Sequence, residues 1–384
     1  LVALHAVKNR CQRKLLTSRY LCITMFLYTK RLVWCGMRKT KVTIKDLAKN
    51  LNLSISTVSM VLNDKQRPYV NITEETKARV KEEARKLGYV SSRSAASLRS
   101  GQSKAIGYWH PMFNNDFAGS MVKNMQEAIE HTGYVMFSFP SMRNSGSGMF
   151  DIYIQWGVDG IIVFDGVEHQ AEIDLIHSKY NIPVVGIGHW CPKGYDSVRI
   201  DFYQPYFNLC SHLSKIGCRR IAYVQQDYRS MPFKMINIEA DDRRYQGYCD
   251  AAKAFSFDPE FVFIERGDSL KSSARTYIKE YIKAHGMPDA LLCRNDDIAI
   301  GAYRGLCDMG IKVPEQVCIT GCDGTEHMKY LEVPITTIEI LSTELSKRAL
   351  ELMLKRIKNP DAELTSLLLT PEISYRESTC RDSR

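Results

Sequence analysis

Between residues 105 and 320 the chain repeats one pattern eight times: a short apolar run, then a stretch of helical character. The runs are Ala105–Trp109, Tyr134–Phe137, Gly160–Phe164, Ile182–Ile187, Arg220–Val224, Phe261–Ile264, Ala290–Cys293 and Val317–Thr320. A strand with one wet face alternates apolar and polar residues, whereas a continuous apolar run belongs to a parallel sheet covered by helices on both faces. Eight such strands exceed one ordinary sheet of about five or six strands. The expected body is therefore α/β: two doubly wound lobes, with a ligand crevice between them at the carboxyl ends of the strands.

The charge is unevenly placed. The chain carries 52 Lys and Arg against 43 Asp and Glu, a net charge of +9. Residues 1–36 hold seven basic residues and no acid, residues 37–104 hold fifteen basic against six acidic, and the remainder is acidic overall. Phosphate neutralisation needs Lys and Arg only where a backbone is touched, so this is the profile of a nucleic-acid-binding head on an acidic body. The twelve cysteines show no paired spacing, and Cys318-x-x-x-Cys322 reads as part of a strand and its end. A reducing compartment, with no structural zinc site and no cofactor, is the economical inference. Catalytic signatures such as Gly-x-Ser-x-Gly, a Walker-type Gly-Lys-Ser/Thr or His-Glu-x-x-His are absent, which argues against an enzyme.

Residues 1–36 have no period that continues into a domain. The apolar run Leu21–Tyr28 falls short of the roughly 20 residues a membrane span requires. The segment is expected to be a non-native or disordered extension, with Met37 as the physiological start.

From residue 37 to 90 the pattern is helical. Thr43 precedes the stripe Ile44, Leu47, Ala48 and Leu51, and Asp46 stands where the partner of a capping box would. A turn at 51–53 leads to Ser54, a good N-cap, and a second helix in which Val58 and Leu62 face inward. Its outer face would be Ile55, Ser56, Ser59 and Met60, short enough side chains to let it enter a major groove about 12 Å wide. A third helix opens at Thr73 and stops at Gly88. Residues 91–103, containing Leu98 between Arg93 and Arg99, would form a small-residue hinge helix and linker.

In order and spacing, Val42–Lys49, Ser56–Ser59, Val61–Asn63, Thr73–Thr76, Leu87–Tyr89 and Ala95–Arg99 resemble the lactose/galactose repressor (LacI/GalR) family. The resemblance implies a helix-turn-helix head in which Thr43, Ser54, Ile55, Ser56, Thr57, Ser59, Met60, Asn63 and Thr73 meet DNA. It also implies that Leu98, flanked by Arg99, wedges into the minor groove at the operator centre. Three features depart from the family. Apolar Ile55 and Met60 cannot hydrogen-bond guanine but can pack on thymine methyls, so a changed half-site preference is expected. The loop 64–72 is longer than usual, placing Lys65 and Arg67 near phosphates or simply in solvent. Cys218 stands where the family has His, read as a packing change.

The resemblance continues through the body, implying a periplasmic-binding-protein-like fold crossed three times, near Asp201, at Asp323–Thr325 and near Asn359. Lobe one would then hold about 104–200 and 326–358, and lobe two about 201–325 and 359–380. By motif, Arg244 and Asp296 would reach an effector, donating to and accepting from adjacent hydroxyls of a sugar. The alternatives are a surface ion pair of Arg244 with Asp241 or Asp242, and an N-cap role for Asp296. Phe117 and Phe164 would line the pocket; Trp109, Phe164 and Trp190 could stack on a sugar ring or fill core. No leucine heptad follows the tail strand within 367–379, so a homodimer on a palindromic operator is expected. Together these imply a cytoplasmic, effector-controlled transcriptional repressor that binds double-stranded DNA and a small molecule. A solute-binding protein of a sugar transporter and a purine- or nucleoside-responsive regulator are the alternatives.

Overall fold

The computed structural model describes residues 42–63, 70–90, 97, 101–111, 116–141, 150–227, 242–265, 267 and 269–381. It forms two compact units, Leu1–Ala96 and Ser97–Arg384.

In the first unit, the expected capping residues set the helix starts. Helix α1 (Ile44–Leu51) opens on a full capping box: the Asp46 amide donates to the Thr43 hydroxyl, and the Thr43 amide donates to the Asp46 carboxylate at 2.8 Å. Asn52, in the left-handed region, ends it. Ser54 caps α2 (Ile55–Leu62), and Thr73 caps α3 (Glu74–Lys86), which stops before Gly88 at φ +64°. A glycine there avoids the Cβ clash of the left-handed conformation. Leu47, Ala48, Leu51, Val58, Val61, Val80 and Ala84 make the core. Val61 lies deeper than Leu62, so the buried seam of α2 runs one residue earlier in its second turn than the sequence suggested.

The second unit begins with β1 (Ala105–Pro111), α4 (Asp116–Ile129), β2 (Val135–Ser141), α5 (Asp151–Gln155), β3 (Gly160–Phe164), α6 (Gln170–Tyr180), β4 (Val184–Gly188) and β5 (Asp196–Ile200). It continues through α7 (Tyr203–Lys215), β6 (Ile221–Gln226), α8 (Arg243–Phe255), β7 (Glu260–Ile264), α9 (Leu270–His285), β8 (Ala290–Cys293), α10 (Asp296–Asp308) and β9 (Cys318–Asp323). Last come β10 (Thr336–Glu339), α11 (Ser342–Lys358), β11 (Ser366–Leu369) and β12 (Glu372–Ser374). Two six-stranded sheets result, ordered β11-β5-β4-β3-β1-β2 and β12-β10-β9-β8-β6-β7, parallel except for β12. All eight apolar runs are strands, and the chain has the two doubly wound lobes expected of it.

The chain passes between the sheets three times, and only the first passage, between β5 and α7, lies where the sequence placed it. The second lies at 340–342, not 323–325, because β10 still pairs with β9 before α11 packs on β3, β4 and β5. Thr336 and Thr337 of β10 are fully buried, their hydroxyls bonded to Thr379 and Asp296. The third lies at 370–371, not near Asn359. Residues 359–365 stay with the first sheet because Arg356 binds the buried Asp196 carboxylate at 2.7 and 3.2 Å and also donates to the Pro360, Ala362 and Glu363 carbonyls. The tail anticipated as one strand is therefore two, one in each sheet.

Close packing of α9 on α10 requires Gly301, where an added Cβ would stand 2.1 Å from the Lys271 carbonyl oxygen.

Candidate functional site

In the first unit, the exposed surface of α2 is apolar and short. Ile55 is 47% exposed and Ser56 is exposed, whereas Ser59 and Met60 are half-buried. The Thr57 amide donates to Ser54 Oγ at 3.0 Å. No acid stands in the first turn of α2, while α3 carries Glu74 and Glu75 in its first turn. The amino end of α2 therefore keeps its partial positive charge available to an anion, and that of α3 is largely neutralised. Thr43, Ser54 and Thr73 spend their hydroxyls on caps, and Asn63 Nδ2 returns to the Ser59 carbonyl at 2.6 Å. Leu98 and Arg99 lie outside the described residues.

In the second unit, the carboxyl ends of β3, β4, β8 and β9 and the amino ends of α7, α8 and α10 bring polar side chains to one place between the lobes. Asp242 is its centre. Wholly buried, it caps α8 through the Arg244 amide at 3.0 Å, accepts from the Arg294 guanidinium, and lies 3.4 Å from His189 Nε2 and 3.8 Å from Arg244 Nη1. Burial opposes its ionisation, but Arg294, His189 and Arg244 together hold the carboxyl well below the usual range. Since His189 ends β4 in lobe one and Asp242 begins α8 in lobe two, this contact joins the lobes. The Arg243 amide nitrogen lies 3.3 Å from the same imidazole nitrogen, which can accept from it or donate to Asp242 but not both.

Arg244 stacks over Phe202 at 3.4 Å from the ring centroid, and its buried Nε has no hydrogen-bond partner among the described residues. Trp190 Nε1 is likewise buried and has no hydrogen-bond partner among the described residues, with Arg294 5.4 Å from its ring. Two carboxyls face this pair from opposite lobes. Asp165 accepts the His189 and Trp190 amides at 2.6 and 2.8 Å; burial pushes its carboxyl up, against those bonds and the charges of His189 and Arg244. Asp323 is raised well above the usual carboxylate range by burial and by Asp296, opposed by Arg244 and Arg294. Both sit at positive φ, +47° and +129°, conformations that disfavour a side chain and concentrate where geometry serves a site.

Of the residues singled out from the sequence, Arg244 and Asp296 stand at the amino ends of α8 and α10 beside these strand ends, and both act on Asp323. Asp296 is 1% exposed and is already engaged: Oδ1 accepts Thr337 Oγ1 at 2.7 Å, and Oδ2 accepts the Thr325 amide and hydroxyl at 2.7 and 2.9 Å. It does not cap α10, a role taken by Asn295, which accepts from the Ile298 amide. Arg244 does pair with Asp242, but inside the crevice and not on the surface. Phe117 lies against Phe164, ring centroids 6.1 Å apart. Trp109 packs on Phe150 and His169 inside lobe one, away from the crevice.

Asp165, His189, Asp242, Arg294 and Asp323 were not anticipated as site residues. Asp165, His189 and Arg294 each follow within two residues of a predicted strand, so the rule that ligands bind at strand carboxyl ends could have marked them. Asp242 was weighed only as a surface partner for Arg244.

Residues 43–92 match the model of bacterial regulatory proteins of the lacI family, and residues 210–379 match that of a periplasmic binding protein-like domain. An HTH-type transcriptional repressor PurR from Mannheimia succiniciproducens is 25% identical over 340 residues, 88% of this chain and 98% of that protein. One from Haemophilus influenzae is 27% identical over 347 residues, again 88% and 98%. Among solved structures, a lac repressor dimer bound to operator and the anti-inducer ONPF superposes with a TM-score of 0.73 at 20% identity, covering 88% of this chain and 99% of that one. A LacI family transcriptional regulator from Enterococcus faecium with bound ribose gives 0.63 at 21%, covering 71% and 98%.

Proposed function

We propose, from the premise that this chain belongs to the lacI family of bacterial regulatory proteins, that it is a DNA-binding transcriptional repressor controlled by a small molecule held between its lobes. The observation that carries the reading is the crevice. Among the described residues, buried Arg244 Nε and Trp190 Nε1 find no partner, an arrangement that costs free energy until an acceptor is supplied, as a ligand would. Carboxyls from both lobes stand beside them to accept a ligand's hydroxyl or N–H donors, which suits a neutral polyol such as a sugar. Arg244, Asp165 and Asp323 are the residues proposed to touch it, with Phe117 and Phe164 forming an apolar wall and Asp296 holding the 324–325 turn in place.

The DNA-binding surface proposed is α2, with Ile55, Ser56, Ser59 and Met60 toward the groove, the α2 amino end and Thr57 toward phosphate, and Leu98 and Arg99 at the operator centre. The chain acts as a homodimer on a two-fold operator in the cytoplasm. Effector binding biases the relation of the lobes, and that bias sets operator affinity.

The test is fluorescence anisotropy of the full chain on a pool of palindromic duplexes at fixed salt, with and without a panel of sugars and nucleosides. Palindrome-selective binding that one compound shifts is expected. Binding that is indifferent to sequence and to every compound would return the chain to the solute-binding reading.

A further inference from the structure

The two sheets end on four edge strands, β2, β7, β12 and β11, and the last of these is bare. β2 carries Pro140, which has no N–H to offer another strand, and β7 begins on Glu260. β12 is three residues long and opens on exposed Glu372. A proline, a charge or a very short run on an edge discourages pairing with another chain. The six residues Leu364–Leu369, which end in β11, carry neither charge nor proline. Leu364 and Leu368 are 60% and 62% exposed, and Ser366, midway between them, is exposed as well. The Thr365 and Leu369 carbonyls accept from the Ser197 and Asp201 amides at 2.9 and 2.8 Å, so the odd-numbered residues turn their backbone groups to β5. Successive residues of a strand turn these groups to opposite sides, which directs those of Leu364, Ser366 and Leu368 to the open edge, where no strand lies among the described residues.

We propose that this edge pairs with the same edge of a second copy of the chain, antiparallel about a two-fold axis at Ser366. The segment is self-complementary. With Ser366 opposite Ser366 of the second copy, Leu364 falls opposite Leu368 of the second copy, and Leu368 opposite its Leu364. All three positions are those whose backbone groups point outward, so each makes a hydrogen-bonded pair. The leucine pairs cover apolar surface on both sides of the axis and bury no charge. Arg199, the register partner of Leu368 on β5, is exposed, but it and its counterpart would stand three strand spacings apart or more, about 14 Å, where salt screens them. A two-fold contact needs one patch that fits itself, and this one does. A foreign strand would explain an apolar edge but not its symmetry about Ser366. The first-lobe sheets of the two copies join as one sheet of twelve strands. The patch is small, so assembly through it depends on protein concentration. The pairing is read from the strand alone and does not rest on the operator reading.

The test is register-specific disulfide formation in the full chain, without DNA or effector. Ser366→Cys, Leu364→Cys and Leu368→Cys are oxidised with diamide, digested without reductant and mapped by mass spectrometry. Opposed residues of a hydrogen-bonded antiparallel pair have Cα atoms about 5.5 Å apart, within disulfide reach. Ser366→Cys is expected to link to itself between copies. A mixture of Leu364→Cys and Leu368→Cys is expected to form mixed pairs in preference to either self-linked form. Exposed Cys380, present in every variant, marks links made by random collision. Leu368→Lys puts a charge on the edge, and native mass spectrometry is expected to find the largest assembly of the concentrated parent halved. The proposal is overturned if Ser366→Cys links through Cys380 alone or not at all, if self-linked Leu368→Cys outweighs the mixed pair, or if Leu368→Lys assembles as the parent does. Should Leu368→Lys fail to fold, the cross-links decide alone.

Discussion

Asp242 and Arg294 form a buried ion pair, and removing one partner of such a pair costs up to about 3–5 kcal/mol. Asp242→Ala should therefore lower body stability by that order in urea unfolding; a loss below 1 kcal/mol would show that Arg294 finds water or Asp323 instead. Arg244→Ala removes charged donors from the proposed ligand but leaves that pair intact. A tenfold or greater weakening of effector binding is expected, from about 1.5–3 kcal/mol per charged hydrogen bond, with operator affinity in the absence of effector unchanged. Titration of the variant with the effector found by the panel checks it, and undiminished affinity would remove Arg244 from the site. Glu168, in the turn after β3, offers a pH test. Burial, with Asp165 and Glu172, raises its carboxyl from 4.5 to about 7. An acid whose folded value is raised stabilises the fold below its unfolded value, here about pH 4.5, and that contribution is lost as pH rises through about 7. Glu168→Gln, always neutral, should match the parent near pH 4.5 and exceed it by up to about 3 kcal/mol at pH 8. Thermal melts across that range decide it: a constant gap would mean the glutamate is charged throughout.

Among the elements, the connection from α11 to β11 depends on one side chain. Arg356 satisfies Asp196 and three carbonyls with a planar fork, a set that the single ammonium of lysine cannot reproduce. Arg356→Lys should destabilise lobe one by about 2 kcal/mol or more, left as unpaired buried acceptors, and speed amide exchange in 359–369. Exchange no faster than in the parent would mean that β11 holds itself. That anchor also explains what sequence could and could not convey. Strands covered on both faces announce themselves by composition, and caps such as Thr43, Ser54 and Thr73 by local chemistry; all of these were legible. The passages at 340–342 and 370–371 were not, because β10 is held by buried bonds to Asp296 and Thr379, and residues 359–365 by Arg356, itself fixed on Asp196; Asp296, Thr379 and Asp196 are distant in the chain from what they hold. Asp165 and His189 could be marked only as strand-end positions, and Asp323 not even so. Each is ordinary beside its sequence neighbours and becomes a site residue only when the two sheets bring their strand ends together.

For the whole molecule, the proposed control is a coupling between two ligands, and coupling is reciprocal. If effector changes operator affinity by some factor, saturating operator must change effector affinity by the same factor, typically about 5- to 150-fold. His189 is placed to transmit this, since it ends a lobe-one strand and contacts Asp242 and the Arg243 amide at the start of a lobe-two helix. His189→Ala should reduce the coupling factor severalfold, measured both ways, while palindrome selectivity, assigned to α2 in the proposed reading, stays as in the parent. Unequal factors in the two directions would mean that a third state or a change of assembly intervenes. Equal factors unmoved by the substitution would place the transmission elsewhere along the lobe boundary, with Asp165 and its bonds to the His189 and Trp190 amides the next element to alter.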